Sequence, residues 1–128
     1  MKLPDSHADL LATPGVASLS TLGADGYPQV TALWFMREGD TIVTSLTTAR
    51  QKVKNAIRHP KVSLFILDPE NRYRTLEIRG DLTIEGDPGL QMMRRLVEYY
   101  GQDFETFPAP KEGRVKATIT PRHIVANG

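Results

Sequence analysis

The chain has 128 residues, of which 40% are apolar and 24% are charged, with 16 Lys and Arg against 15 Asp and Glu. This length is typical of one domain, and folding buries roughly two-thirds of such a chain's surface, so a core can form without covalent staples. The net charge of +1 argues against nonspecific binding to nucleic acid or to an anionic membrane. The sequence has no cysteine, which excludes disulfides, zinc–thiolate sites and thiol nucleophiles.

No apolar run approaches the roughly twenty residues that a membrane-spanning helix needs. The longest apolar runs, such as Val62–Leu67, are only strand-length, and Met1–Asp5 lacks the apolar core of a secretory signal. The absence of cysteine fits a reducing compartment. We therefore expect one domain over residues 1–128, in the cytoplasm, with neither nucleic acid nor a membrane as a partner.

The hydrophobic pattern predicts short elements joined by turns. Asp25-Gly26 predicts a hairpin turn because this pair adopts positive φ at low cost, and Pro60 ends a helix that precedes it. The predicted strands are Val16–Leu22, Tyr27–Met36, Thr41–Leu46, Val62–Leu67, Tyr73–Glu85 and Arg114–Thr120. The predicted helices are Ser6–Ala12, Thr48–His59 with Val53, Ala56 and Ile57 buried, and a third that follows Asp87-Pro88 and runs to Tyr100.

The arrangement of about six strands and three helices is a series of meanders and lacks regular βαβ alternation. It predicts a mainly β fold, an antiparallel barrel with peripheral helices. The second strand carries two different faces. Its apolar face is predicted to lie inside the barrel and consists of Val30, Ala32, Trp34 and Met36. Its mixed face is predicted to have a partly polar cover and consists of Gln29, Thr31, Leu33 and Phe35.

The helix Thr48–His59 is cationic, with Arg50, Lys52, Lys54 and Arg58 and no acid. Cations in a first helical turn oppose the helix dipole, at about 0.3–1 kcal/mol each. An anion bound there would relieve this conflict, because free backbone N–H groups and cations would converge on it. Two interpretations stay open: a phosphate site, and a solvated basic face. In either case Arg50 and Lys52 are predicted to be exposed.

Other candidate chemistry is weak. The three histidines, His7, His59 and His123, are scattered without metal-ligand spacing and are expected at the surface. No Gly-x-Ser-x-Gly elbow and no Walker loop occurs. Glu77 and Arg79 are predicted to form a cross-strand ion pair.

Seven segments in chain order resemble the pyridoxamine 5′-phosphate oxidase-like split β-barrel superfamily, and among its branches the enzymes that use coenzyme F420, a deazaflavin. The pattern of these segments includes Arg50-Gln51-Lys52 at a helix start and Asp25-Gly26 in the first hairpin. The segments are Gly15–Thr21, Asp25–Val30, Ala49–Asn55, His59–Leu64, Tyr73–Gly80, Tyr99–Gly101 and Ile119–Ile124.

The resemblance implies a homodimer with two cofactor sites at its interface and an antiparallel split barrel of the FMN-binding type. It implies hydride transfer from a reduced ring to a small acceptor, with no side-chain acid or base common to the family. The phosphate contacts it implies are Thr47, Arg50 and Lys52; the ring contacts are Ser45, Leu46, Gln29, Thr31 and Leu33, with Tyr73 from the second protomer.

The resemblance favours F420 over FMN, and a reductase over an oxidase. F420 differs from FMN by a lactyl–oligoglutamate tail, for which Lys54 and Arg58 are candidate partners. The alternatives are an FMN-dependent oxidoreductase of the pyridoxamine phosphate oxidase type and a non-catalytic flavin-binding split barrel. The segment 102–113 is expected to shape the acceptor pocket.

Overall fold

A computed structural model describes all 128 residues and shows one seven-stranded antiparallel sheet with short helices against it. The spatial order of the strands is β2-β1-β5-β6-β7-β4-β3. The strands are β1 (Ala17–Leu22), β2 (Pro28–Leu33), β3 (Met36–Glu38), β4 (Thr41–Thr47), β5 (Lys61–Leu67), β6 (Thr75–Gly86) and β7 (Arg114–Asn127). The helices are α1 (Ala8–Ala12), preceded by a 3-10 turn at Asp5–His7, α2 (Gln51–Arg58) and α3 (Gln91–Tyr99). The predicted mainly β class is confirmed, with seven strands in place of about six.

The sheet curls into a barrel around a single main core. Leu33 of β2 and Ile42 of β4 lie toward opposite ends of the strand order, yet both belong to one cluster of 20 buried apolar residues. Only a curled sheet brings them into the same cluster. The alternation in β5, with Val62, Leu64 and Ile66 buried and the residues between them more exposed, shows which face turns inward.

The predicted orientation of the second strand is wrong. Val30 is 64% exposed, whereas Leu33 and the following Phe35 are buried in the barrel. Cross-strand pairing explains the reversal, because Thr31 lies opposite the buried Leu19 of β1 and must share its face. The mixed residues therefore face the interior, and the predicted single strand divides into β2 and β3.

Helix α2 starts at Gln51, later than predicted, because Thr47–Arg50 forms a turn in which the Arg50 N–H donates to the Thr47 carbonyl (3.1 Å). The buried stripe also differs from the predicted one. Ile57 is 67% exposed, against the prediction, and Lys52 and Asn55 take buried positions beside Val53 and Ala56. The prediction that Lys52 is exposed is therefore also wrong.

Helix α3 packs against β4 through a second cluster formed by Val43, Met92 and Leu96. The buried carboxylate of Asp87 accepts hydrogen bonds from the Met92 N–H (3.3 Å) and the Met93 N–H (3.1 Å), so it satisfies two free donors at the helix start. None of the helices is long and apolar enough to span a membrane.

Strand β7 runs to Asn127, seven residues beyond the predicted end. Its final residues pair with β6, and the Asn127 carbonyl lies 2.8 Å from Nε2 of His7. His7 is consequently buried, although a surface position was expected. Glu77 and Arg79 do form an ion pair (3.0 Å), although within one strand and not across two.

Gly80 allows the closest backbone approach in the sheet. The β6–β7 register shifts between Arg79 and Gly80, and a Cβ on Gly80 would collide with the Thr120 carbonyl and the Ile119 side chain. We predict that Gly80→Ala lowers the free energy of unfolding by about 1–3 kcal/mol, the usual cost of overpacking. Urea denaturation measures this change in the free energy of unfolding. Gly89→Ala is the matched control, because the nearest atom to its Cβ would be 3.9 Å away; equal stability of the two variants would contradict this assignment.

Candidate functional site

A cleft of about 170 Å³ opens where the end of β4, α3 and the segment 102–113 meet. Its lining combines three cations, a short polar stretch of β4 and an apolar wall, and it contains no acid. The lining residues are Ala32, Leu33, Trp34, Thr44, Ser45, Leu46, Arg50, Lys52, Met93, Leu96, Val97, Phe107, Ala109 and Arg114.

A larger hollow of about 400 Å³ lies on the outer face of β1, β5 and β6. Its two arginines are already neutralised: Arg79 by Glu77 (3.0 Å) and Arg122 by Asp81 (2.8 Å). Lys61, at the rim of the hollow, is its one cation without an ion pair. The smaller cleft is the stronger candidate because none of its three cations has a carboxylate partner, so volume alone does not identify the site.

Arg50, Lys52 and Arg114 supply the positive charge of the cleft. The ion pairs of the protein all involve other residues. Lys52 Nζ donates only to the Ala32 carbonyl, at 3.4 Å. Arg114 donates through Nε to the Pro110 carbonyl (2.7 Å) and through Nη1 to Ser45 Oγ (3.3 Å).

These buried, mutually repelling cations destabilise the cleft when no ligand is bound. Lys52 is 3% exposed, and its burial, followed by repulsion from Arg50, lowers the pKa of its ammonium to about 8. Burial, followed by the same Arg50, also lowers the pKa of Arg114, although Asp87 partly offsets this. A bound anion would restore favourable interactions for all three, with the first N–H groups of α2 nearby. The cleft is therefore suited to an anionic group.

The apolar wall of the cleft is rigid and aromatic. Trp34 stacks on Tyr100, with ring centroids 4.2 Å apart and planes 5° apart, and Phe107 lies 5.5 Å from Trp34. The Tyr100 hydroxyl accepts the Phe35 N–H (2.9 Å) and donates to the Gly15 carbonyl. This anchoring fixes the Trp34 ring, so a flat, partly apolar ligand group can lie against a preformed surface.

The structure brings five of the nine predicted site residues together. Arg50, Lys52, Leu33, Ser45 and Leu46 all line the cleft. Whether they bind a cofactor stays a prediction.

The other four predicted residues lie elsewhere. Thr47 is buried beside the cleft, and its carbonyl accepts the Arg50 N–H. Gln29 accepts a hydrogen bond from Asn55 Nδ2 (3.3 Å), on the inner side of the barrel, and Thr31 also points inward, with a buried Oγ1 that has no partner. Tyr73 is 75% exposed in the turn before β6 and does not line the cleft.

Arg114 was not predicted as a cleft residue, and neither Trp34 nor Phe107 was favoured as a ligand contact. Arg114 begins the last strand directly after the loop 102–113, and a cation at this junction was the available signal. No cluster of His, Asp and Glu able to hold a metal ion is present.

The sequence pattern of the Pyridoxamine 5'-phosphate oxidase family matches residues 3–126. The chain therefore belongs to this family. Comparison with curated proteins finds no match.

Solved structures give the same fold. A structure named "F420 Reductase" is 35% identical, with a TM-score of 0.88, and the match covers 96% of this chain and 98% of that chain. HutZ, the heme storage protein from Vibrio cholerae, is 14% identical, with a TM-score of 0.76, covering 100% of this chain and 96% of that chain. The second likeness shows the fold alone.

The lowered pKa of Lys52 predicts pH-dependent anion binding. Above pH 8 the ammonium loses its proton and with it the attraction for a phosphate, so the affinity for FMN should fall about tenfold between pH 7 and pH 9. Fluorescence titration at constant ionic strength measures it. Lys52→Met should bind FMN more weakly at pH 7 and show a flat profile; an equally steep profile in that variant would assign the dependence to another group.

The stability of the ligand-free protein should change in the opposite direction. Because burial lowers the pKa of Lys52 to about 8 from an ordinary value of 10.5, the folded state binds fewer protons than the unfolded state between these values. The contribution of Lys52 to the free energy of unfolding therefore increases as pH rises through that range. The difference in the free energy of unfolding between wild type and Lys52→Met, measured as a function of pH, isolates this contribution.

Proposed function

We propose that the protein is an F420-dependent reductase that transfers a hydride from the reduced deazaflavin to a small organic acceptor. The proposal treats residues 1–128 as one cofactor-binding domain. It is supported by the likeness to the F420 reductase, at 35% identity over 96% of this chain. The observation that carries it is the buried ammonium of Lys52, which has Arg50 and Arg114 as neighbours in the cleft and no carboxylate partner.

The residues present fit a cofactor of this kind. A phosphate needs cations and N–H donors, and the cleft offers Arg50, Lys52 and the first turn of α2. A tricyclic ring needs a flat apolar surface with a few polar groups at its edge. Trp34 provides that surface, and Ser45 and Leu46 provide main-chain groups at the end of β4.

Each part of the cleft has a separate role in this proposal. Arg50 and Lys52 hold the phosphate, with Thr47 shaping the turn that positions Arg50. Leu33, Ser45 and Leu46 orient the ring. The bound cofactor supplies the hydride. The lining contains no Asp, Glu, His or Tyr, and Lys52 is assigned to the phosphate, so in this proposal the proton that completes the reduction comes from solvent or from a polar group near the acceptor.

The cleft is too small to hold the whole cofactor. Its volume of about 170 Å³ is below the roughly 300–1,000 Å³ of sites that enclose a drug-sized ligand. We therefore propose that a second copy of the chain covers the remainder as a two-fold dimer. The outer sheet face supports this assembly, because Val30, Phe65 and Leu67 are exposed there beside Val16. In such a dimer, Thr31 stays buried in the barrel, Gln29 stays bonded to Asn55, and Tyr73 is free to reach the partner's site.

Titration of the apo protein with F420 and with FMN, at matched salt and pH 7, tests the cofactor. We predict tighter binding of F420, and a loss of about 1.5–3 kcal/mol for either cofactor in Arg50→Ala, the range for a hydrogen bond to a charged group. Arg95→Ala is the matched control, an exposed arginine of α3 that pairs with Glu38 (3.2 Å) and does not line the cleft. Tighter binding of FMN would support the FMN-dependent alternative, and unchanged affinity in an Arg50→Ala/Lys52→Ala double variant would refute the phosphate site.

Sedimentation at micromolar concentration tests the dimer. We predict a dimer for wild type and a monomer with weakened cofactor binding for Phe65→Lys, because Phe65 is 41% exposed on the outer face. The lysine should not disturb the fold, because this position lies opposite Glu77 of β6, a suitable neighbour for a cation. Tyr27→Lys changes an aromatic residue at the β1–β2 turn that is more exposed than Phe65 (75% against 41%), and it should leave the dimer intact. A wild-type monomer that binds F420 fully would refute the shared site.

A further inference from the structure

The cleft holds one cation more than the phosphate assignment uses. Arg114 lies at the start of β7, directly opposite Thr47 in the β4–β7 ladder. The Thr47 carbonyl accepts the N–H of Arg50, so Arg50 and Arg114 flank the same end of β4. Both side chains line the cleft, and the positive charge of Arg50 adds to burial in lowering the pKa of Arg114.

The hydrogen bonds of Arg114 leave part of its guanidinium free. Nε donates to the Pro110 carbonyl, and Nη1 donates to Ser45 at 3.3–3.5 Å, whereas Nη2 makes no hydrogen bond. The nearby carboxylate of Asp87 does not compensate for this, because it already accepts the N–H groups of Met92 and Met93. Arg114 is thus fixed in place by two of its nitrogens and has free donors on the third.

We propose that Arg114 is a specificity-determining residue that binds a carboxylate of the cofactor next to its phosphate, so that the cleft selects a ligand with at least two anionic groups. This inference rests on the proposed function. A phosphodiester, as in F420, carries a single negative charge and leaves the other cations of the cleft uncompensated. A carboxylate of the oligoglutamate tail supplies the missing charge, and a guanidinium is the group best matched to a carboxylate.

The structure also argues against the tail site expected on α2. Arg58 is occupied elsewhere, since its Nη2 donates to the Leu22 carbonyl (3.1 Å) and to Asn55 Oδ1 (3.2 Å), toward the β1–β2 hairpin. Lys54 is exposed and does not line the cleft. The direction of the tail is therefore set by Arg114, along the side of the cleft that the segment 102–113 forms.

Arg114 also positions that segment, through the bond from Nε to the Pro110 carbonyl (2.7 Å). Loss of this bond alone would loosen the wall that carries Phe107 and Ala109. Such loosening would weaken every ring-bearing ligand to the same degree. A purely structural role and a carboxylate-binding role therefore differ in how the effect depends on the ligand.

Binding titrations with a ligand series separate these roles. The probes are F420 with its oligoglutamate tail, the deazaflavin whose phosphate ends as a methyl diester and so carries the same single phosphate charge, and FMN. Each is titrated against wild type, Arg114→Gln and Arg58→Gln at pH 7. We expect Arg114→Gln to weaken F420 about ten- to a hundredfold and the two tail-less ligands less than about threefold. Arg58→Gln should change none of them.

Several results would overturn the assignment. An equal loss for all three ligands in Arg114→Gln would reduce Arg114 to a structural or phosphate-binding role, and a selective loss of F420 in Arg58→Gln would place the tail on α2. If Arg114→Gln does not fold, wild type alone decides, because equal affinity for the tailed and tail-less deazaflavins refutes a carboxylate contact. Failure of the proposed function is distinct: FMN would then bind wild type more tightly than either deazaflavin.

Discussion

Strand β7 holds the two halves of the sheet together, and the candidate site depends on that connection. In the strand order, β2, β1, β5 and β6 lie on one side of it and β4 and β3 on the other. It pairs with β6 along 12 residues of that strand and then with β4, and the bulge at Gly80 gives it room beside Thr120. Without this double pairing, the end of β4 that carries Ser45 and Leu46 would have no fixed relation to the barrel.

The same pairing places charges of like sign next to one another. Arg114 enters the cleft because it begins β7 opposite Thr47, and Arg50 enters because the turn after Thr47 starts α2. Lys52 follows on the inward face of that helix. Self-repulsion and desolvation make this arrangement costly for the ligand-free protein, and the lowered pKa of Lys52 expresses that cost. An interior that served stability alone would have paired or removed these cations.

The elements of the fold were predictable because they depend on local signals. Asp25-Gly26 indicated a turn, Pro60 a helix end and the apolar run Val62–Leu67 a strand, and the structure contains all three. The orientation of β2 was not predictable, since both of its faces carry apolar residues and only pairing with Leu19 decides which face turns inward. The burial of Lys52 has the same origin: Val53 and Ala56 are buried as expected, but only the packing of α2 against the barrel decides that Lys52 and Asn55, and not Ile57, share their face.

For the site, the sequence indicated the cations of α2 but not the residues from other parts of the chain that lie beside them. A helix start with Arg50 and Lys52 and no acid breaks a local rule of helix design, and such violations concentrate where function overrides stability. Arg114 follows no such rule in the sequence, because its proximity to Arg50 arises only from the β4–β7 ladder. Three cations gathered from two distant parts of the chain, beside the anchored ring of Trp34 and without a carboxylate or a histidine, suit a cleft that binds and orients a reactive cofactor. The chemistry then resides in that cofactor, and the protein determines which one enters.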